Sequence, residues 1–378
     1  MPKTKQIKKG NKPDKSAYEV KGLDESWNDR FLELSERAPV RTERLRIHFD
    51  RSPDIFTIPK LTSYRNVPLG LFHDDHLIGC AVAAYQKRYI NGALTDVIYL
   101  GNMHVIERGT GRIFLKKLSD RVVQKMKDRP EVEYLYAYVM EGNRPADKLV
   151  RLGELDSRWA GSVSMSTILT IKPIALDSKY TVRKAEMADV DQIVALLSDE
   201  FRQLWLAPEM SKERFLQNLN NRQNIGIKNY FLAIRNNEVV GTCLAWDMTP
   251  FKKNRIWFHG FRMGLIRFGY HIAARLTGSP PLPKPGEAFK DVTIAEYAVR
   301  DRDPKIMEAL LRFVYREYRR KGYQAVIFGC DSHDPIIKAT KPFISREVRS
   351  GVIITPLQEN SKRNLIPPDL IFADAIQI

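Results

Sequence analysis

The sequence carries one pattern twice, and that repetition limits the architectures open to it. A short alternating stretch, an acidic helix start and an amphipathic helix run from Tyr18 in YEVKGLDESWNDRFLELSE and again from Tyr180 in YTVRKAEMADVDQIVALLSDEF. LFHDDHLIGCAVAAY around Gly79 matches LAIRNNEVVGTCLAW around Gly241, each a hairpin pattern with a polar turn. The separations from Tyr18 to Tyr180 and from Gly79 to Gly241 are both 162 residues. A third pair, DVIYLGNMHV from Asp96 and DVTIAEYAVR from Asp291, is set further apart by an insertion between Arg255 and Lys290. A helix and an apolar strand follow in each copy (EYLYAYVMEGN, QAVIFGCDSHD), and each copy closes on a strand, SMSTILTI or GVIITPL. Two long copies are too few for a solenoid, so the chain reads as a tandem duplication of one domain.

Within each copy the order is strand, helix, hairpin, strand, glycine turn, helix, strand, helix, strand. That order implies an α+β domain: a mixed, mostly antiparallel sheet flanked by helices on both faces. With 378 residues the chain has room for two such domains. The expected organisation is a disordered basic tail over 1–16, a first domain over 17–172, a linker over 173–179 and a second domain over 180–378 that contains the 255–290 insertion. The tail, MPKTKQIKKGNKPDKS, lacks the apolar centre of a signal peptide.

In the first copy VIERGTGRIFLKKL, Val105 to Leu118, joins a strand pattern to a helix pattern. Glycines at a helix start let backbone N–H groups approach a phosphate, which the positive end of the helix dipole also favours. Taken alone, the same glycines make a tight turn. Together with the repeat and with VMEGNRPADKLVRLG downstream, the loop resembles that of the GNAT superfamily of N-acetyltransferases, and the resemblance spans residues 18–171 and 180–357. It implies two tandem GNAT-like domains and a loop of pattern Q/R-x-x-G-x-G/A that holds the pyrophosphate of acyl-CoA. Ile106-Glu107-Arg108-Gly109-Thr110-Gly111 carries both glycines, with Ile106 at the first position. The implied cofactor-binding residues are Val105, Arg108, Gly109, Thr110, Gly111 and Arg112, with Asn143 bonding the pantetheine arm. Ala146 and Leu149 keep the family's spacing, while Val150 stands where a tyrosine often protonates the departing thiolate. In the second copy VRDRDPKIMEALL puts Asp301 and Asp303 in place of the glycines, so that copy is expected to have lost CoA binding and to support the structure or the acceptor.

Acyl transfer to an amine needs a base for the ammonium, a donor for the carbonyl oxygen and close alignment. His104, beside the loop, is the candidate base; the alternative is a polar residue at a strand end. Tyr134, Tyr136 and Tyr138 share one sheet face, a pattern that also suits packing, and Tyr138 is the candidate substitute acid. Glu296, in an apolar strand of the second copy, occupies the place where the resemblance implies a catalytic glutamate; it would bind the acceptor's amine or lie on a solvated face. Asp331 and His333 follow the next strand.

The implied activity is acyl-CoA-dependent N-acylation of a primary amine, with acetyl-CoA or another acyl-CoA as co-substrate, a small-molecule or lipid amine as acceptor, and no metal. Net charge +16 calls for an anionic partner, either nucleic acid, a lipid surface or a phosphorylated cofactor. Zinc-finger spacings and RNA-binding signatures are absent from the sequence, which disfavours nucleic acid. From Phe251 to Gly286 there is no acidic residue, and cations interleave with aromatics; the segment suits a packed helix, a substrate lid or peripheral membrane contact. Cys80, Cys243 and Cys330 form no CxxC and read as buried free thiols in a reducing, cytoplasmic setting. Two other readings stay open: a non-catalytic scaffold or ligand-binding protein, and a membrane-associated or tRNA-dependent aminoacyl or acyl transferase.

Overall fold

The computed structural model describes residues 17–41, 45–107, 110–126, 129–151, 156–176, 179–258, 261–364 and 368–378. The basic tail expected over 1–16 lies outside them. The first repeat comprises β1 (Tyr18–Gly22), α1 (Asn28–Arg37), β2 (Val40–Arg41), β3 (Leu45–Asp50), α2 (Thr57–Thr62), β4 (Arg65–His73), β5 (His76–Ile90), β6 (Ala93–Val105), α3 (Gly111–Met126), β7 (Val132–Met140), α4 (Arg144–Arg151) and β8 (Arg158–Leu169). The second comprises β9 (Thr181–Lys184), α5 (Val190–Gln203), α6 (Lys212–Asn221), β10 (Tyr230–Arg235), β11 (Glu238–Trp246), β12 (Lys253–Phe258), α7 (Phe261–Thr277), β13 (Asp291–Val299), α8 (Pro304–Arg320), β14 (Ala325–Asp331), β15 (Ser345–Pro356) and α9 (Glu359–Asn364).

The repeat is visible in backbone detail. The β4–β5 turn uses Asp74 (φ 45°) and Asp75 (φ 61°), and the β10–β11 turn, 162 residues on, uses Asn236 (φ 52°) and Asn237 (φ 62°). Short polar residues tolerate this left-handed pair, whose twist suits a two-residue hairpin. Gly79 and Gly241 are needed for close approach. A Cβ at Gly79 would lie 2.9 Å from Val105 Cγ2, and one at Gly241 would lie 2.6 Å from Ile306 Cγ2.

The two repeats share one twelve-stranded sheet, ordered β1-β4-β5-β6-β7-β15-β8-β14-β13-β11-β10-β9. Only β6–β7 and β13–β14 are parallel. The closing strands have changed places: β15 pairs with β7 of the first repeat, and β8 pairs with β14 of the second. Each repeat's sheet is thus completed by the other, a departure from two separate sheets that strand patterns alone do not encode. The insertion adds a further tie, because β12 pairs along its length with β3 in a small three-stranded sheet, β12-β3-β2.

Helices cover both faces. Phe114, Leu118 and Val122 of α3 pack on Ala81, Ile98 and Leu135, and Leu310 and Val314 of α8 occupy the equivalent place over Cys243, Ile294 and Phe328. On the opposite face α5 buries Val190, Ile193, Leu197 and Phe201, a helical spacing, against Leu232, Leu244 and Ala295. The C-terminal stretch does not join the main sheet. It makes a single bridge, Trp205 to Ile371, and packs Ile371 and Ala373 against Tyr134, Tyr136, Val352 and Ile354. Cys80, Cys243 and Cys330 are buried free thiols. Among the described residues no helix is long and apolar enough to cross a membrane.

Candidate functional site

The parallel ladder between β6 and β7 runs from Asp96–Val132 to Tyr99–Tyr136 and stops, although β6 continues to Val105 and β7 to Met140. The strands part into a wedge. Beside it, β6 bulges at Asn102 (φ 49°), whose Nδ2 donates to Ile55 O at 3.1 Å, opposite a register shift between Cys80 and Val82. The corresponding ladder of the second repeat ends at Thr293–Ile327, and β13 and β14 part beyond it in the same way. Tyr297 and Phe328, with rings 5.3 Å apart, pack there with Cys330 and Ile336.

The helix starts that follow these strands differ. Val105 ends β6, and Gly111 opens α3, whose first turn holds no acidic residue. Thr110 is buried and donates from Oγ1 to Glu107 O at 2.8 Å, closing the loop onto the helix. Arg112 follows in the first turn of α3; Arg108 and Gly109 lie outside the described residues. Asn143 precedes α4 with an exposed side chain, and its Oδ1 accepts from Ala146 N at 3.3 Å. In the second repeat Asp303 caps α8, accepting from Lys305 N at 2.8 Å, with Pro304 at the first helical position. Arg302 is ion-paired with both Glu200 and Asp334. The protein's own groups satisfy that helix start.

On the face of β6 opposite α3, ionisable groups from both repeats are buried together. Arg51 is 6% exposed and its Nη1 has no hydrogen-bond partner. Burial lowers its pKa to about 10 against the opposing pull of Tyr99, Asp50 and Asp291. Lys252, 8% exposed, donates to Ala375 O at 2.6 Å and Ile376 O at 3.3 Å. Burial, then the Arg51 charge, brings its pKa down to about 7. Asp291, accepting from Asn254 at 2.9 Å, is raised by burial to about 6. His104 is lowered to about 4, first by burial and then by Arg51 and His48, so it is neutral at pH 7 and a weak base.

The tyrosines form a row, with Tyr99–Tyr136 centroids 5.1 Å apart and Tyr136–Tyr138 5.8 Å apart. The hydroxyl of Tyr138 donates to Phe372 O at 2.7 Å, and burial raises its pKa well above the phenol range. Its proton is committed to the C-terminal stretch, which fits poorly with the acid expected from the sequence.

A narrow crevice with about 20 Å³ of free space lies between the repeats, lined by α2, β5, residues 208–210, α6, Arg222, β13 and the stretch 372–376. Its walls hold three arginines. Arg88 pairs with Asp374 at 2.9 Å, both side chains at most 3% exposed. Arg222 pairs with Glu296 at 2.6 Å, and Tyr230 donates to the other Glu296 oxygen at 2.6 Å. Both oxygens of Glu296 are therefore engaged inside the protein. Arg214 is the third; burial and the charges of Arg88 and Arg222 lower its pKa. Asp331 bonds the backbone of Ile371 and His333, so it too organises the chain termini of neighbouring elements. Among the described residues no group of three His, Cys, Asp or Glu side chains could hold a metal ion.

Sequence reasoning missed Arg51, Arg88, Arg214, Lys252 and Asp374. Asp291 was visible as the partner of Asp96 in the repeat, and Lys252 opens the acid-free segment, but no motif flags the others.

No family model matches the sequence, and no curated protein matches it. Solved structures do match in fold. A GCN5-related N-acetyltransferase from Anabaena variabilis superposes with TM-score 0.51 at 10% identity, covering 91% of this chain and 74% of that one. One from Sphaerobacter thermophilus gives 0.51 at 16% identity over 77% and 81%. An N-myristoyltransferase from Saccharomyces cerevisiae with bound myristoyl-CoA gives 0.55 at 10% identity over 94% and 82%. The chain has the GNAT fold, and it matches the myristoyltransferase across both repeats.

Proposed function

We propose that the chain is an acyl-CoA-dependent N-acyltransferase whose donor binds the first repeat and whose acceptor amine enters from the second. The observation that carries this is the contrast between the helix starts that follow the parting strands: acid-free at α3 in the first repeat, capped by Asp303 and Pro304 at α8 in the second. Residues 17–172 would hold the donor and 180–378 the wall of the acceptor site; the three buried free thiols fit a reducing, cytoplasmic setting.

In this reading the first-turn N–H groups of α3, with Arg108, Gly109, Thr110, Gly111 and Arg112, receive the pyrophosphate. Asn143 uses Oδ1 on its own helix, which leaves Nδ2 for a pantetheine carbonyl. The free amine attacks the thioester carbon, forming the N–C bond; collapse of the tetrahedral intermediate breaks C–S, and the thiolate takes up a proton. Lys252, with a pKa near 7, is better matched than His104 to accept the ammonium proton at neutral pH. Arg51 Nη1, buried and without a partner, is the candidate donor to the oxyanion. Glu296 and Tyr138 are assigned to holding the pocket and the C-terminal stretch in place.

Calorimetric titration of CoA, acetyl-CoA and myristoyl-CoA into wild type, Gly111→Asp and an Asp301→Ala/Asp303→Ala control tests this, followed by thiol release with an amine panel. Expected are micromolar binding lost only in Gly111→Asp and amine-dependent thiol release; the tightest donor reports the acyl length. No binding in wild type would overturn the reading. Binding without turnover would favour a ligand-binding protein, the reading to which Val150 and the committed Tyr138 proton point.

A further inference from the structure

The insertion contains a helix, α7, that carries a line of exposed apolar side chains. On α7, Phe268, Ile272 and Leu276 are 66%, 48% and 83% exposed. Spaced four residues apart, they fall on one narrow line of the helix surface. The helix is anchored from behind: Ala274 is buried, Tyr270 OH donates to Pro280 O at 2.9 Å, Thr277 Oγ1 donates to Ile171 O at 2.9 Å, and Arg319 donates to Thr277 O. A rigidly held helix with such a line facing water is a surface built for a partner.

The charge around it says which. No acidic residue occurs from Phe251 to Gly286, while Arg262, Arg267, Arg275 and Lys284 do, within a chain of net charge +16. Arg275 and Lys284 are exposed, and Lys172, next to the Ile171 anchor, is exposed as well. A copy of this chain would oppose cation to cation. Phosphate headgroups over an apolar layer meet both features at once, the cations at headgroup level and the apolar side chains just beneath.

We propose that α7 docks the protein on an anionic bilayer surface, with Phe268, Ile272 and Leu276 entering the interfacial layer. The docking does not depend on the acyltransferase reading. Its test is co-sedimentation with vesicles of pure phosphatidylcholine and of equal parts phosphatidylcholine and phosphatidylglycerol, using wild type, Phe268→Ser/Ile272→Ser/Leu276→Ser and Arg275→Glu, with thermal melts and molar mass by light scattering alongside. Wild type is expected to bind the anionic vesicles only. The triple variant, melting like wild type because the changed side chains are exposed, loses about tenfold or more of that affinity. Arg275→Glu loses roughly 25-fold, because each cation near such a surface contributes about fivefold and reversing the sign changes the charge by two. The proposal is overturned if wild type ignores both vesicle types, if the triple variant binds as well as wild type, or if wild type self-associates through the stripe and leaves vesicles alone.

Discussion

Replacing Lys252 by methionine should change how stability responds to pH more than it changes stability itself. The ammonium is buried against Ala375 O and Ile376 O, and burial with Arg51 nearby brings its pKa from 10.5 to about 7. At about 1.4 kcal/mol per pH unit, the native state holds that proton less tightly than the unfolded chain by about 5 kcal/mol. The sign follows. Between pH 7 and 10.5 the unfolded chain binds more protons, so wild-type stability climbs with pH in that window and is flat in this respect on either side. Methionine cannot titrate, and the other ionisable groups are common to both proteins. From pH 7 to pH 9 wild type should therefore gain on the variant by about 2 kcal/mol, or roughly 3 °C for a chain of this size. Thermal melts followed by tryptophan fluorescence across pH 6.5–9.5 measure the difference. A wild-type-minus-variant gap that stays constant or narrows as pH rises would refute a depressed lysine and, with it, Lys252 as the proton acceptor.

Asp291→Asn should behave in the opposite way: a carboxyl raised to about 6 makes the native state lose stability as pH rises from 3.8 to 6, so the variant should gain about 2–3 kcal/mol on wild type between pH 4 and pH 7 in melts extended down to pH 4. Asp374→Asn leaves Arg88 buried without its partner and unpins the C-terminal stretch; we expect a loss of about 3–5 kcal/mol and faster proteolysis near residue 370, against unchanged digestion if the pair is incidental. Glu296→Gln strands Arg222 beside Arg214, so its main effect should be a similar loss of stability. A drop in turnover of about a hundredfold or more with an unchanged melt would instead make Glu296 a catalytic group.

The fold was readable because its signals are local. Alternation, amphipathic spacing and a pair of polar turn residues each act within a few positions, and their recurrence at 162 residues supplied the duplication. The strand exchange was not readable, since SMSTILTI and GVIITPL are apolar and alternating wherever they pair. Gly111 and Asn143, proposed above to hold the donor, stand out in the sequence because helix-start chemistry is also local. Arg51 and Lys252 do not, and Asp291 does so only as a repeat position: their shared burial depends on the β3–β12 pairing and on the C-terminal stretch folding back over β6 and β7, contacts between residues more than 100 positions apart. Sequence reading chose His104 because histidine ordinarily titrates near neutrality, and burial beside Arg51 removed that property while giving it to a lysine.

The exchange of closing strands also bears on why only one repeat should need a donor site. With β15 seated against β7 and β8 against β14, α5, α6 and residues 370–376 are carried onto the sheet face opposite α3. That is the face from which a nucleophile can meet a thioester lying in the β6–β7 wedge. For the second repeat to serve as this wall it must be rigid, and a wedge kept open for pantetheine would work against that. Capping α8 with Asp303 and locking Arg302 between Glu200 and Asp334 satisfies that helix start with the protein's own groups. On the proposed reading, one repeat supplies the donor site and the other a wall that positions the separately bound amine.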